Sequence, residues 1–96
     1  MLVDDAGFDS AVKNDVIVDF YADWCGPCKL VSQVLEQSTP KTKILKMDVD
    51  KNDYTPMALG IRSIPTLIFF KGGSEVHRHV GIIRKEEFDS LVKSIY

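Results

Sequence analysis

Ninety-six residues, 45% of them hydrophobic and 27% charged, suffice for one folded domain (1–96) and leave little room for a second. Twelve basic against fourteen acidic residues give a net charge of −2, which steers the chain toward neither nucleic acid nor an anionic membrane. The longest apolar runs, such as Thr66–Phe70, are far too short to span a bilayer.

In chain order, Met1-Leu2-Val3-Asp4-Asp5 has neither the basic nor the apolar stretch of a signal peptide, so a cytoplasmic location is expected. Met1–Val3 is at most a strand stub. Asp9, Ser10 and Asn14 punctuate a short helix around Ala6–Lys13. Val16–Tyr21 is apolar on both faces except at Asp19, the pattern of a strand covered on both sides. After Gly26-Pro27 a helix runs to about Gln37, with Leu30, Val31, Val34 and Leu35 as its apolar stripe, and Pro40 prevents its continuation. Ile44–Val49 reads as a second strand, and Asp53–Leu59 as a short helix that Gly60 ends. Thr66–Phe70 is a third strand, and Gly72-Gly73 turns it back into an antiparallel Glu75–Val80. Phe88, Leu91, Val92 and Ile95 mark a last helix, with Glu86 and Glu87 suited to its first turn. The order α-β-α-β-α-β-β-α implies an α/β fold, a mixed central sheet with helices on both faces.

Only two cysteines occur, three positions apart, in Trp24-Cys25-Gly26-Pro27-Cys28-Lys29, where a strand hands over to a helix. So small a loop constrains the unfolded chain little, which makes a stabilising crosslink the weaker explanation and a reactive pair the stronger. Side chains three apart in a first helical turn lie about 5–6 Å apart, close enough for a disulfide to form and break without refolding. Cys25 at the helix N-terminus is expected to be exposed and to favour thiolate, because unpaired N–H groups and the dipole stabilise the anion. Pro27 is tolerated in a first turn, and Cys28 is expected to point further into the fold as the resolving thiol. Two inert core cysteines are one alternative. A zinc site is another, with His77 and His79 as further ligands, but one intervening residue is not finger spacing and two solvated strand histidines fit better; no metal is expected.

Val18-Asp19-Phe20-Tyr21-Ala22-Asp23-Trp24-Cys25-Gly26-Pro27-Cys28-Lys29 resembles the active-site segment of the thioredoxin family. Ile61-Arg62-Ser63-Ile64-Pro65-Thr66-Leu67 resembles its second signature, and Lys71-Gly72-Gly73 with Val80-Gly81 the third and fourth. The resemblance covers nearly the whole chain in order. It implies the thioredoxin fold, a mixed sheet of four to five strands flanked by four helices, and reduction of protein disulfides by dithiol–disulfide exchange. Asp19, the lone charge in an apolar strand, is a candidate proton acceptor for Cys28 with its affinity raised by burial; a purely structural Asp is the alternative. The resemblance makes Lys46 the neighbour of that acid, makes Pro65 cis where trans is the ordinary expectation, and assigns the Ile64 backbone to pairing with the substrate chain. It further implies that Trp24, Gly26, Pro27, Ile64, Pro65, Val80 and Gly81 form a flat apolar rim that accepts target proteins.

Several positions depart from the family pattern. Gln33 stands where a helix proline is usual, which predicts a straighter helix, and Tyr21 stands where a tryptophan is common. Ser38–Thr42 is short, so the helix is expected to end early, and most of the first strand is missing. Ser63 replaces a frequent glycine. The resemblance requires no bound cofactor, and implies a separate thioredoxin reductase as electron donor and a monomer acting on protein disulfides. A thiol oxidase or isomerase is the rival within this chemistry, and a redox-incidental binding module the rival outside it; Gly-Pro between the cysteines and Asp19 beside them favour the reductase.

Overall fold

Val16, Val18 and Phe20 alternate with Ile17, Asp19 and Tyr21, and this alternation gives the central strand β1 (Val16–Tyr21) a packed layer on each side. The computed structural model describes residues 1–96. β1 pairs in parallel with β2 (Lys43–Asp48) and antiparallel with β3 (Thr66–Lys71), while β4 (Ser74–Val80) adds antiparallel to β3. The sheet order is β2-β1-β3-β4. The possible fifth strand is reduced to one bridge: Leu2 pairs with Lys46, whose N–H donates to the Met1 carbonyl at 2.8 Å and whose carbonyl accepts from Val3 at 2.9 Å.

One face carries α1 (Phe8–Ala11) and the region of α3 (Tyr54–Ala58), with Phe8 and Val12 packed on Val18, Phe20, Met47 and Phe70. On the other, Val31 and Leu35 of α2 (Gly26–Ser38) and Phe88 of α4 (Lys85–Ile95) cover Ile17, Leu67 and Phe69. Phe20, Phe69 and Phe88 are fully buried, each contributing roughly 1.5–3 kcal/mol by removal from water. Asp19 falls on the α2 side by the same alternation that puts Ile17 there.

The element order matches the expectation from sequence, with ends shifted by no more than two residues, α1 losing two at each end. That helix spans four residues rather than Ala6–Lys13, because Gly7 at its N-cap has no side chain to accept from the first-turn donors. The N-terminal segment is fixed instead by Asp5, whose carboxylate accepts from the backbone N–H groups of Tyr54 and Thr55; the Thr55 side chain first, and then these backbone bonds, hold its pKa below the usual value. Gly72 and Gly73 both take positive φ, +60° and +86°, and so close the two-residue hairpin as expected. Val76 is the extra residue of a bulge between the Phe69 and Phe70 pairings.

α2 is continuous through Gln33 and ends at Ser38, one residue beyond the expected end at about Gln37. The compressed exit forces Thr39 into the left-handed region, at φ 42° and ψ 56°. A β-branched residue there is strained by roughly 1–2 kcal/mol. Thr39→Gly is therefore expected to stabilise the protein by about 1 kcal/mol once the greater freedom of glycine in the unfolded chain is subtracted. Urea unfolding measures it; an unchanged or lower midpoint would show that the turn is not strained.

Candidate active site

The loop Ala22-Asp23-Trp24 leaves β1 and delivers Cys25 to the N-cap of α2. Cys25 has extended backbone angles, φ −87° and ψ 107°, and its N–H donates to the Ala22 carbonyl at 3.1 Å. Its Sγ accepts from the Cys28 N–H at 3.2 Å, so a sulfur does here what a serine or aspartate oxygen does at other helix starts. Gly26 and Pro27 fill the first two helical positions, where a missing N–H leaves nothing unsatisfied. Cys25 and Cys28 form a disulfide, with Cα atoms 5.3 Å apart.

Cys25 is not the exposed residue expected from sequence: it is 4% accessible and Cys28 3%. Ala22 is buried with them, and Tyr21, Val49 and Ile64 pack against the trio. In the disulfide state the two cysteines thus differ little in burial, and what separates them is their place on the helix. The N-cap sulfur receives an N–H, whereas the sulfur one turn on does not.

On β1, Asp19 is completely buried, and neither carboxylate oxygen has a hydrogen-bond partner within the protein. Burial pushes its pKa up to about 6, against the opposing pull of the Lys46 ammonium. The parallel register sets Lys46 beside Asp19, on the neighbouring strand and the same face of the sheet. Yet Lys46 makes no ion pair with it. Its Nζ donates to Ser32 Oγ at 3.0 Å and lies 4.7 Å from the centre of the Tyr21 ring. Tyr21, Ala22, Cys28, Ser32 and Lys46 line a cleft of about 140 Å³ opening beside the disulfide. Ser32 escaped the sequence reading, although it stands four residues after Cys28 and so on the same helix face.

Of the residues expected at the rim, Ile64 packs directly against the cysteine pair. Trp24 is 71% exposed, and its Nε1–H donates to Asp50 Oδ2 at 2.7 Å. Nothing in the sequence pointed to Asp50, which lies after β2. The Ile64–Pro65 bond is cis, and Thr66 Oγ1 donates to the Ser63 carbonyl at 2.7 Å across that turn. Gly81, at φ +98°, donates its N–H to the Pro65 carbonyl at 2.8 Å, which brings exposed Val80 to the same edge. A second hollow of about 230 Å³ lies between Trp24, Val49, Pro56, Ile61 and Ile64.

The histidines have other occupations. His77 packs on the Phe69 ring, 5.6 Å between centroids. His79 is half-buried rather than solvated, with Nε2 3.0 Å from the Ile82 carbonyl. No group of three His, Cys, Asp or Glu residues is arranged to hold a metal ion. No helix is long and apolar enough to cross a membrane.

Known proteins share both the sequence and this geometry. A sequence model of the Thioredoxin family matches residues 1–94. The chain is 49% identical over 95 residues to a thioredoxin of Staphylococcus aureus, covering 94% of this chain and 91% of that protein. It is 42% identical over 97 residues to one of Haemophilus influenzae, with the same coverage of each. Among solved structures, a mutant thioredoxin from Halobacterium salinarum superposes with a TM-score of 0.89 at 34% identity, covering 98% of this chain and 88% of that one. An N-cap cysteine bonded to its partner one turn on, set in this sheet and matched along almost the whole length, leads to one conclusion: the chain belongs to the thioredoxin family, and dithiol–disulfide exchange is its chemistry.

Proposed function

We propose that residues 1–96 act as one monomeric domain, a general cytoplasmic carrier that reduces protein disulfides and is re-reduced by a separate thioredoxin reductase. The observation that carries this reading is the capped disulfide at the start of α2. In the reduced protein the Cys28 N–H and the helix dipole favour an anionic Cys25 sulfur, since a hydrogen bond to a charged acceptor is the stronger one. That thiolate attacks one sulfur of a target disulfide, forming a mixed disulfide and expelling the other sulfur as thiolate. Cys28 then gives its proton to Asp19 and attacks Cys25 Sγ. The second target sulfur leaves, and two electrons have passed from the cysteine pair to the target.

Asp19 suits the proton because burial places its pKa near the working range, whereas a solvated carboxylate would be too weak a base. Lys46 adjusts that affinity. The rim of Trp24, Gly26, Pro27, Ile64, Pro65, Val80 and Gly81 takes the target. Ile64 precedes β3 with its N–H and carbonyl free of backbone partners, so an extended target segment can pair there. Main-chain pairing carries little side-chain specificity, which fits a general reductant, and the apolar hollow beside Trp24 accepts a neighbouring side chain. A reducing compartment is the one in which a dithiol of this kind turns over.

The test is reduction of a model protein disulfide with a small dithiol as electron source. Wild-type protein is expected to accelerate the reaction catalytically, and a variant with both Cys25 and Cys28 changed to serine to return it to the uncatalysed rate. Equal rates with and without the cysteines would leave a binding module in this fold.

A further inference from the structure

Lys46 is held by residues of two different elements. Its ammonium has one hydrogen-bond partner in the protein, Ser32 Oγ of α2 at 3.0 Å, and lies over the Tyr21 ring of β1 at 4.7 Å. The ion pairs of the structure are Arg78–Glu75, His79–Glu87 and Lys85–Asp89, so Lys46 pairs with no carboxylate although Asp19 is its register partner. Asp19 itself is sealed and without a hydrogen-bond partner. Ser32, Tyr21 and Lys46 all line the cleft that also reaches Cys28.

We propose that Ser32 is a positioning residue: its hydroxyl, with the Tyr21 ring, clamps the Lys46 ammonium at the cleft mouth, where Lys46 acts on Asp19 from a fixed place without pairing with it. A lysine is a flexible, strongly hydrated point charge, and without a partner it moves out to water. A direct pair with Asp19 would stabilise the carboxylate and weaken it as a base, whereas an ammonium lost to solvent would leave it protonated over a wider range. The clamp holds the intermediate case. The charged or titratable groups around Asp19 are few. Lys46 comes from β2 and Tyr21 from its own strand, with Asp23 and Lys29 in the cleft those two line; α2 brings to that cleft Cys28, which does not titrate while it is in the disulfide, and β3 sets uncharged Leu67 opposite. Lys46 is the one whose charge bears on Asp19, and Asp19 in turn raises the Tyr21 pKa, after burial and the charges of Asp48 and Asp23.

The inference rests on the proposed proton transfer to Asp19 only for its consequence in catalysis, and the experiment separates the two. The Asp19 carboxyl carbon is followed by NMR through a pH titration of the oxidised protein. Ser32→Ala is expected to raise its midpoint by half a unit or more, and Ser32→Thr, which keeps a hydroxyl, to restore it. Lys46→Met is expected to raise it at least as far, and Ser32→Ala added to Lys46→Met to add nothing, since Ser32 acts only through the lysine. An unchanged or lowered midpoint in Ser32→Ala, or a further shift in the double variant, would overturn the clamp. Separately, the pH–rate profile of disulfide reduction is compared for wild type and Asp19→Asn. Identical profiles would remove the proton-acceptor role from Asp19 and leave the carboxyl titration, and with it the clamp, still decided on its own data.

Discussion

A Cys28→Ser variant mixed with a disulfide-bonded protein is expected to stop at a covalent adduct through Cys25, and its turnover to fall on the order of 10³-fold or more. The first step needs only the N-cap sulfur and survives the substitution. The second needs a nucleophile already beside that sulfur, and the α2 geometry sets Cys28 one helical turn away with Cα atoms 5.3 Å apart. Well-oriented neighbouring groups reach effective concentrations of about 10⁵ M or more, far above any dissolved dithiol, so external thiols replace Cys28 poorly. Serine oxygen does not displace sulfur at neutral pH. The adduct is read as a shifted band without reductant and as a mass equal to the two proteins together. Wild-type turnover with no adduct would mean that Cys28 is not the resolving thiol.

What the sequence made legible was set by local pattern. Two cysteines three apart after a β-branched strand, with Pro27 between them, define a helix start, and the structure places Cys25 at that N-cap. Asp19 stood out because one charge interrupts a run that is otherwise apolar, and its complete burial follows from a strand covered on both faces. The cis bond before Pro65 was legible only through the family resemblance, since nothing local distinguishes it from a trans proline. Less visible were contacts made across the fold. Asp50 reaches Trp24 from 26 residues away, and Asp5 caps donors at Tyr54 and Thr55 from the other end of the chain. The burial of Cys25 depends on Ile64 and Val49, which arrive from separate loops. The clamp on Lys46 mixes the two kinds of information. Helical spacing puts Ser32 below Cys28, but only the parallel register of β1 and β2 brings Lys46 to meet it.

Asp19→Asn is expected to make the protein more stable at neutral pH, by up to about 3 kcal/mol, and to lose that advantage in acid. The sign follows from where the proton sits. Burial raises the Asp19 pKa from 3.8 to about 6, so between those values the folded protein holds a proton that the unfolded chain has released. Stability therefore falls as pH rises through that window and stays low above it, where folding must enclose a carboxylate without hydrogen-bond partners. Two pH units correspond to about 3 kcal/mol. Asparagine has no charge to enclose, so its unfolding midpoint is expected to be flat with respect to this group. Urea unfolding at pH 7.5 and pH 3.5 makes the comparison: a large gain at the first and near parity at the second. A gain of equal size at both values would assign the effect to packing rather than to charge, and Asp19 would not be the poised acid described here. With the expected result, the same substitution is more stable and, by the proton route from Cys28, slower. On the proposed proton route, a strand position that an apolar or amide side chain would fill at lower free energy keeps its carboxyl because the exchange reaction needs somewhere to put a proton.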